Sequence, residues 1–355
     1  MQLVVLNTAF ESVHILDTFE SLIWTDRYNA YGDFQIDQSI SQEALTYLQE
    51  DFYLCLKESE HTMIVESIRI KSDVETGNKL VVKGRSLESI LDRRIVWFQT
   101  TLSGNLQNGI KKLLTENVIS PSDSNRKISN FVFEASTDPA ITKLTIDAQY
   151  TGDNLYTVIK KICEQFSIGF KITLVDDKFV FKLYAGANRS YDQMENPFVV
   201  FSPNFENIVN SDYYSSKAEL KTVALIAGEG EGSARKTSTV SIASGAGTGL
   251  NRRELYVDAR DISQTVGEET LTDAEYIAQL KQRGNEKMEE NTRVTAFDGQ
   301  METTRLYVYG EDFFMGDIVQ ISNEYGIEAK VRVVELIRSQ SIMGIDTYPT
   351  FTTTE

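Results

Sequence analysis

The sequence predicts a mainly β fold with an α+β insert, on three observations. Short runs rich in β-branched and aromatic residues, cut by turn formers, fill residues 1–100 and return after about residue 200. Helical spacing of apolar residues is concentrated between those stretches, apart from one long helix near 271–291. The chain has 355 residues, more than one ordinary core accommodates, so two to four compact units are expected. The patterns divide it into a β-rich unit over 1–100, an α+β unit over 101–200 and a second β-rich unit over 201–355.

In the first unit the predicted strands are Leu3–Leu6, Ser12–Leu16, Ser21–Arg27, Gly32–Ile36, Phe52–Lys57, Thr62–Lys71 and Lys79–Arg85. Over the second half of Thr62–Lys71, Val65, Ser67, Arg69 and Lys71 face opposite to Glu66, Ile68 and Ile70. Asp73–Lys79 reads as a hairpin turn through Gly77 and Asn78, and a helix interrupts at Ser41–Leu48. Such strand density points to a barrel or sandwich. At Gly84–Arg94 the spacing turns helical, with Ser86 as N-cap and Leu87, Ile90 and Leu91 on one face.

Helices are predicted at Leu106–Asn117 and Asn154–Phe166. In the second, Leu155, Val158, Ile159, Ile162 and Phe166 recur at i, i+3, i+4, i+7 and i+11. Strands Gly169–Val175 and Lys178–Tyr184 follow, joined by Asp176-Asp177, and a boundary is expected near Asn196-Pro197. Ser211–Ser216, Ala218–Ala227, Lys236–Ile242 and Arg253–Asp258 then alternate with two Gly-rich stretches. After the helix Leu271–Asn291 come Thr303–Tyr309, Asp317–Ser322, Ile327–Ser339 and Met343–Phe351.

Hydrophobic residues make up 41% and charged residues 25%, the mix of a globular chain rather than a disordered one. Acidic residues outnumber basic ones 52 to 35, and the formal charge of −17 repels phosphate. Lys111-Lys112, Lys160-Lys161 and Arg252-Arg253 are short basic groups on solvated faces, so sequence-specific nucleic-acid binding is not expected. No apolar run approaches the roughly 20 residues that span a bilayer, so no membrane anchor is expected. The N-terminus has neither a basic region nor a small-residue cleavage site and reads as a strand, not a Sec leader. Cys55 and Cys163 sit in apolar surroundings and read as buried free thiols, which suits assembly in a reducing cytoplasm.

No catalytic constellation emerges. The histidines, His14 and His61, stand between strand residues, and no short-spaced His or Cys set suits a zinc ion. They read as surface or interfacial strand residues. The loop Gly228–Gly232 follows a strand, but its two glutamates repel phosphate and no Lys-Ser or Lys-Thr closes it. It reads as a flexible tip between strands, and Ser244–Gly249 as a mobile or partner-contacting loop. Asp176-Asp177, Glu229/Glu231, Glu268-Glu269 and Asp258/Asp261 are the carboxylate pairs open to glycoside hydrolysis, although 52 acidic residues produce such pairs by chance. As sugar-stacking platforms the aromatics to watch are Tyr28, Tyr31, Phe34, Tyr213 and Tyr214. No catalytic residue, cofactor or metal is expected.

Several local patterns resemble one family, the hub proteins of siphovirus tail tips and baseplates, which include prophage tail proteins. Phe19–Ile36 carries a strand, then Tyr28-x-x-x-Gly32-x-Phe34, then a strand. Val81–Arg94 runs from strand to helix through Gly84-Arg85-Ser-Leu, and Gly316-Asp317-Ile-Val opens a closing series that ends in Tyr348-Pro349-Thr-Phe351. Gly32 permits a tight turn or bulge that Tyr28 and Phe34 bracket. The resemblance implies two barrel-like β domains with smaller α+β domains, assembled as a homotrimeric ring. Tyr28, Gly32, Phe34, Gly84, Arg85, Gly316, Asp317 and Pro349 are its structural positions.

Such a ring would join the tail tube or distal tail protein to spike, tape-measure or receptor-binding proteins and form part of the DNA channel. It would belong to the virion after assembly in the host cytoplasm. The chain ends at Glu355 directly after the last predicted strand, the expectation for a hub without a catalytic extension. A cell-wall hydrolase and a carbohydrate-binding adhesion module of the tail tip are the alternatives.

Overall fold

A computed structural model describes residues 1–73, 77–266, 269–301 and 306–354. Strand accounts for 42% and helix for 21%, so the protein is mainly β. Its centre is one sheet of eleven strands drawn from both ends of the chain. From edge to edge the order is Val200–Phe201, Ile318–Ser322, Glu328–Ser341, Ser21–Arg27, Asp33–Ser39, Gly77–Ser86, Thr62–Asp73, Tyr53–Leu56, Leu3–Leu6 and Ser12–Leu16. Gly344–Thr353 lies on the other side of Glu328–Ser341.

Glu328–Ser341 is long enough for two partners on one side. Its first residues pair with Ile318–Ser322 and its residues from Glu335 onward with Ser21–Arg27. The register shifts between Val333 and Glu335, so the strand changes direction where it passes from one partner to the other.

The N-terminal strands curl around Leu3, Val5, Leu22, Trp24, Ile36, Leu54 and Val82, all buried. In Asp33–Ser39 strict alternation puts Phe34, Ile36 and Gln38 inside. Among the described residues no ladder joins Ser12–Leu16 to Ser21–Arg27, so the expected barrel is an open, curled sheet. The alternation expected over Thr62–Lys71 is interrupted by a register shift between Val65 and Ser67, and beyond it Ile70 is 52% exposed. The expected turn at Asp73–Lys79 includes residues 74–76, which lie outside the described residues, as do 303–305 of the strand expected at Thr303–Tyr309.

A second core gathers Leu87–Leu183. Here the helix Leu155–Gln165 is capped by Asn154, whose side chain accepts from Thr157 N, and it buries Leu155, Val158, Ile159, Ile162 and Cys163. Asp176 and Asp177 both take positive φ, as a two-residue hairpin turn requires. Phe131–Glu134 adds to Lys178–Tyr184 in parallel. Leu106–Leu114 continues as a π turn over Thr115–Ile119. The helix expected after Ser86 is a 3-10 helix, Leu87–Arg93, and Ser86 does not cap it, because its hydroxyl bonds Glu88 and accepts from Gly32 N.

A third core packs Thr237–Ser241, Val223–Ala227 and Glu254–Asp258 under the helix Asp273–Glu289, which opens with a capping box of Thr272 and Glu275. The expected strand Ala218–Ala227 is confined to its second half. The fourth core surrounds Phe201, Phe313, Val319, Val331, Leu336 and Phe351. Cys163 is buried as expected, whereas Cys55 is only half-buried; both thiols are free. Among the described residues no helix is long and apolar enough to cross a membrane.

Gly84 tests the packing directly. A Cβ there would stand 1.7 Å from Ile64 O and 2.8 Å from Phe34 Cε1. Gly84→Ala is expected to cost about 3 kcal/mol or more in urea unfolding. Gly104→Ala, at φ +84° with open space around it, is expected to cost only about 1 kcal/mol. Equal losses at the two sites would show that Gly84 is not closely packed.

Candidate functional site

The motif positions fall into two contacting sets with one outlier. In the first, the segment Gly32–Phe34 lies against Gly84. Gly32 N donates to Ser86 Oγ (2.7 Å), Ser86 N donates to Gly32 O (2.9 Å), and a Cβ on Gly32 would stand 2.2 Å from Thr25 O. Arg85 reaches out of this set to Glu66 (2.7 Å) and Asp92 (3.1 Å), with its guanidinium 4.8 Å from the Tyr31 ring centroid.

The second set is centred on Tyr28. Its N–H donates to Val334 O (2.9 Å) at the register shift of the long strand. Its carbonyl accepts from Phe170 N (3.2 Å) and Tyr184 Oη (3.2 Å), and its hydroxyl donates to Ser167 O (3.1 Å). Gly169 and Gly316 flank the ring so closely that a Cβ on either would approach it within 2.5 Å and 2.3 Å. Arg332 lies 5.5 Å from the ring centroid. Burial pushes the Tyr28 phenol up to about 12, although nearby Arg332 favours the anion.

Beside Gly316, buried Asp317 accepts from Ala187 N (2.7 Å), Arg189 Nε (2.7 Å) and Phe314 N (3.0 Å). It thereby fixes the segment that leaves the second core. Pro349 is the outlier, opposite Leu336 in the outer ladder.

A buried polar cluster that sequence reasoning missed lies at the same joint. Asp26 accepts from Trp24 Nε1 (3.0 Å), Ser59 Oγ (2.9 Å) and Arg338 Nη1 (2.5 Å), and Arg338 also donates to Glu58 O (2.7 Å). Glu88, wholly buried, accepts from Ser86 Oγ and Ile172 N (2.6 Å). His61 Nδ1 is 3.2 Å from Glu88 Oε1 but poorly aligned for a hydrogen bond, so the contact is ionic. His61 is therefore no surface residue: it is 6% exposed, beside buried Glu88. Its desolvation lowers the pKa, Glu88 and Asp26 outweigh that and Lys171 opposes them, leaving it up at about 9. His14 instead stacks on Tyr47, ring centroids 4.3 Å apart. Only distance in sequence hid this cluster, since its members come from positions 24 to 338.

The remaining candidates are dispersed. Asp176-Asp177 forms its turn, Asp258 bonds Arg260, Asp261 bonds Arg283, and Glu229 accepts from Gln264 N. Glu268 and the side chain of Glu269 lie outside the described residues. Of the five aromatics considered for sugar stacking, Tyr28 and Phe34 are buried, Tyr31 and Tyr213 half-buried, and Tyr214 is 56% exposed. Among the described residues no three His, Cys, Asp or Glu side chains gather as metal ligands.

The fold is shared with phage tail proteins. It matches the prophage tail protein gp18 of Listeria monocytogenes EGD-e with a TM-score of 0.60 and 13% identity, over 100% of this chain and 95% of that one. The 43 kDa tail protein of prophage MuSo2 from Shewanella oneidensis matches at 0.60 and 10% identity, over 100% and 98%. A tail protein from Neisseria meningitidis MC58 matches at 0.58 and 15%, over 99% and 97%. No curated protein matches the chain in sequence. Residues 2–348 match the profile of the Siphovirus ReqiPepy6 Gp37-like proteins, and the chain belongs to that family.

The cluster makes a signed pH prediction. His61 rises from about 6.5 unfolded to about 9 folded, so its contribution is complete below about pH 6.5 and disappears as pH rises through 9. Between pH 6 and 10 the wild-type chain should lose about 3 kcal/mol more stability than His61→Gln in parallel urea titrations. Identical pH slopes would remove His61 from the account.

Proposed function

We propose that the protein is a non-enzymatic structural hub of a phage tail tip or baseplate. It acts as a homotrimeric ring that joins the tail tube or distal tail protein to spike, tape-measure or receptor-binding components. The observation that carries this reading is the single sheet built from both ends of the chain, in a member of a siphovirus family whose fold is shared with prophage tail proteins. A part that transmits load between two neighbours benefits from termini closed into one hydrogen-bonded body. Two barrel-like β domains per chain belong to this reading, and three copies would arrange them as a ring.

Its acidic balance suits the wall of a DNA channel, since −17 per chain repels phosphate and lets DNA slide. Engagement of Asp258 and Asp261 by arginines favours a structural reading over hydrolysis. The site of action is the virion, after assembly in the host cytoplasm.

Negative-stain microscopy of the purified chain, averaged without imposed symmetry, should give three-fold rings with an open centre. Monomers at every concentration would sink the ring. A basic bore in the assembled ring would sink the channel-wall reading.

A further inference from the structure

Two surface features take no part in the joint, and their chemistry is complementary. One is the segment Ile95–Phe98, which links the 3-10 helix to the strand Thr100–Asn105. Trp97 is 55% exposed and Phe98 63%, although both lie in a chain segment held rigidly. Val96 is buried and its N–H donates to Asp153 O (2.8 Å), while Trp97 N donates to Asn117 Oδ1 (3.1 Å). The backbone that carries the rings is thus preorganised rather than loose.

Arg93 and Arg94 precede them in the chain, and Arg126 lies beside Trp97. Arg126 lies 4.9 Å from the Trp97 ring centroid, and Arg94 Nε donates to Arg126 O (3.0 Å). Burial and then the charges of Arg126 and Arg93 lower the pKa of Arg94, so these cations repel one another. Arg93 has Asp51 at 3.8 Å, but among the described residues neither Arg94 nor Arg126 forms an ion pair. In a chain of −17 this sets two cations without an ion pair, Arg94 and Arg126, beside exposed aromatic residues.

The other feature is a cleft of about 580 Å³ beyond the edge strand Ser12–Leu16, under the helix Gln42–Tyr47. Leu16, Phe19 and Leu48 give it an apolar floor, and exposed Asp17, Glu20 and Glu43 rim it. The stacked His14–Tyr47 pair forms one wall, and Ile342, 93% exposed at a hairpin tip, leans over it. No Lys or Arg lines the cleft; Lys79, 3.5 Å from Glu20, is a nearby cation. The volume is that of a pocket able to take a large side chain.

We propose that the Trp97–Phe98 face of one copy docks into the acidic-rimmed cleft of a second copy. The two surfaces share no residue, so the contact is head-to-tail, the kind that closes into a ring when its rotation allows. An aromatic anchor flanked by arginines is the composition that dominates interface energetics, and opposite charges fix its orientation. A second copy is the fitting occupant because it carries both the matching apolar floor and the matching charge. Closure at three copies rests on the ring reading; the contact itself needs only a neighbour.

The test is sedimentation velocity on the full chain, between about 50 and 500 mM salt, where screening separates charge from apolar contact. Wild type should associate, less strongly at high salt. Arg94→Glu, Glu43→Arg and Trp97→Ala should each weaken association about tenfold or more, and Arg94→Glu with Glu43→Arg combined should restore part of it. Glu43 and Trp97 are exposed whereas Arg94 is half-buried, and circular dichroism will check that each variant folds. Three-fold rings indifferent to all the substitutions would overturn this contact and leave the ring standing. Single losses without rescue would overturn the pairing of these two surfaces, and a monomeric wild type would overturn both the contact and the ring.

Discussion

The hydrogen bond from Tyr28 N to Val334 O is the point on which the architecture turns. It falls where the long strand Glu328–Ser341 leaves one partner for another, so it sets how residues from the two ends of the chain share a sheet. Tyr28 also accepts two hydrogen bonds from the second core and donates one to it. One residue therefore fixes three segments. The glycines at 169 and 316 are consequences of that crowding, because any side chain there would occupy the space of the ring.

The ionic cluster a short way along the same strands enforces register as well as contributing pH-dependent stability. Burying Arg338, Asp26, Glu88 and His61 together carries a desolvation cost that apolar residues would avoid. What the cluster adds is a penalty for misassembly. If Arg338 were displaced by one strand position, Asp26 would remain buried with only Ser59 and Trp24 as donors, and the strand faces would be reversed. Register across a ladder whose halves lie some three hundred residues apart is thus enforced by charge as well as by shape.

Much of this was legible in the sequence wherever the signal was local. The helix Leu155–Gln165 and the hairpin Gly169–Tyr184 carry their periodicity and turn residues within one short window. Thr100–Asn105, Thr145–Tyr150 and Val294–Met301 escaped because polar residues interrupt their alternation and their partners lie elsewhere in the chain. Ser86 had the pattern of a helix cap, yet a buried glutamate two residues on claimed its hydroxyl. The Tyr28, Gly32 and Gly316 motifs could be singled out from sequence. Their gathering into two contacting sets could not, since pairing between distant strands leaves no trace in either one alone.

Charge also constrains how copies of this chain could associate. A body of −17 repels its own kind, and at physiological ionic strength that repulsion fades over about 8 Å. Association must therefore be decided by short-range contacts, and by places where the prevailing sign is locally reversed. Exposed apolar residues scattered over an acidic surface would not suffice, because orientation would be undetermined. Two exposed aromatic residues on a hydrogen-bonded segment, beside Arg94 and Arg126 that form no ion pair among the described residues, would supply orientation and attraction together, and excess acid elsewhere would discourage other arrangements. On this view the acidity that keeps DNA from adhering to the proposed channel also restricts where one subunit can meet the next.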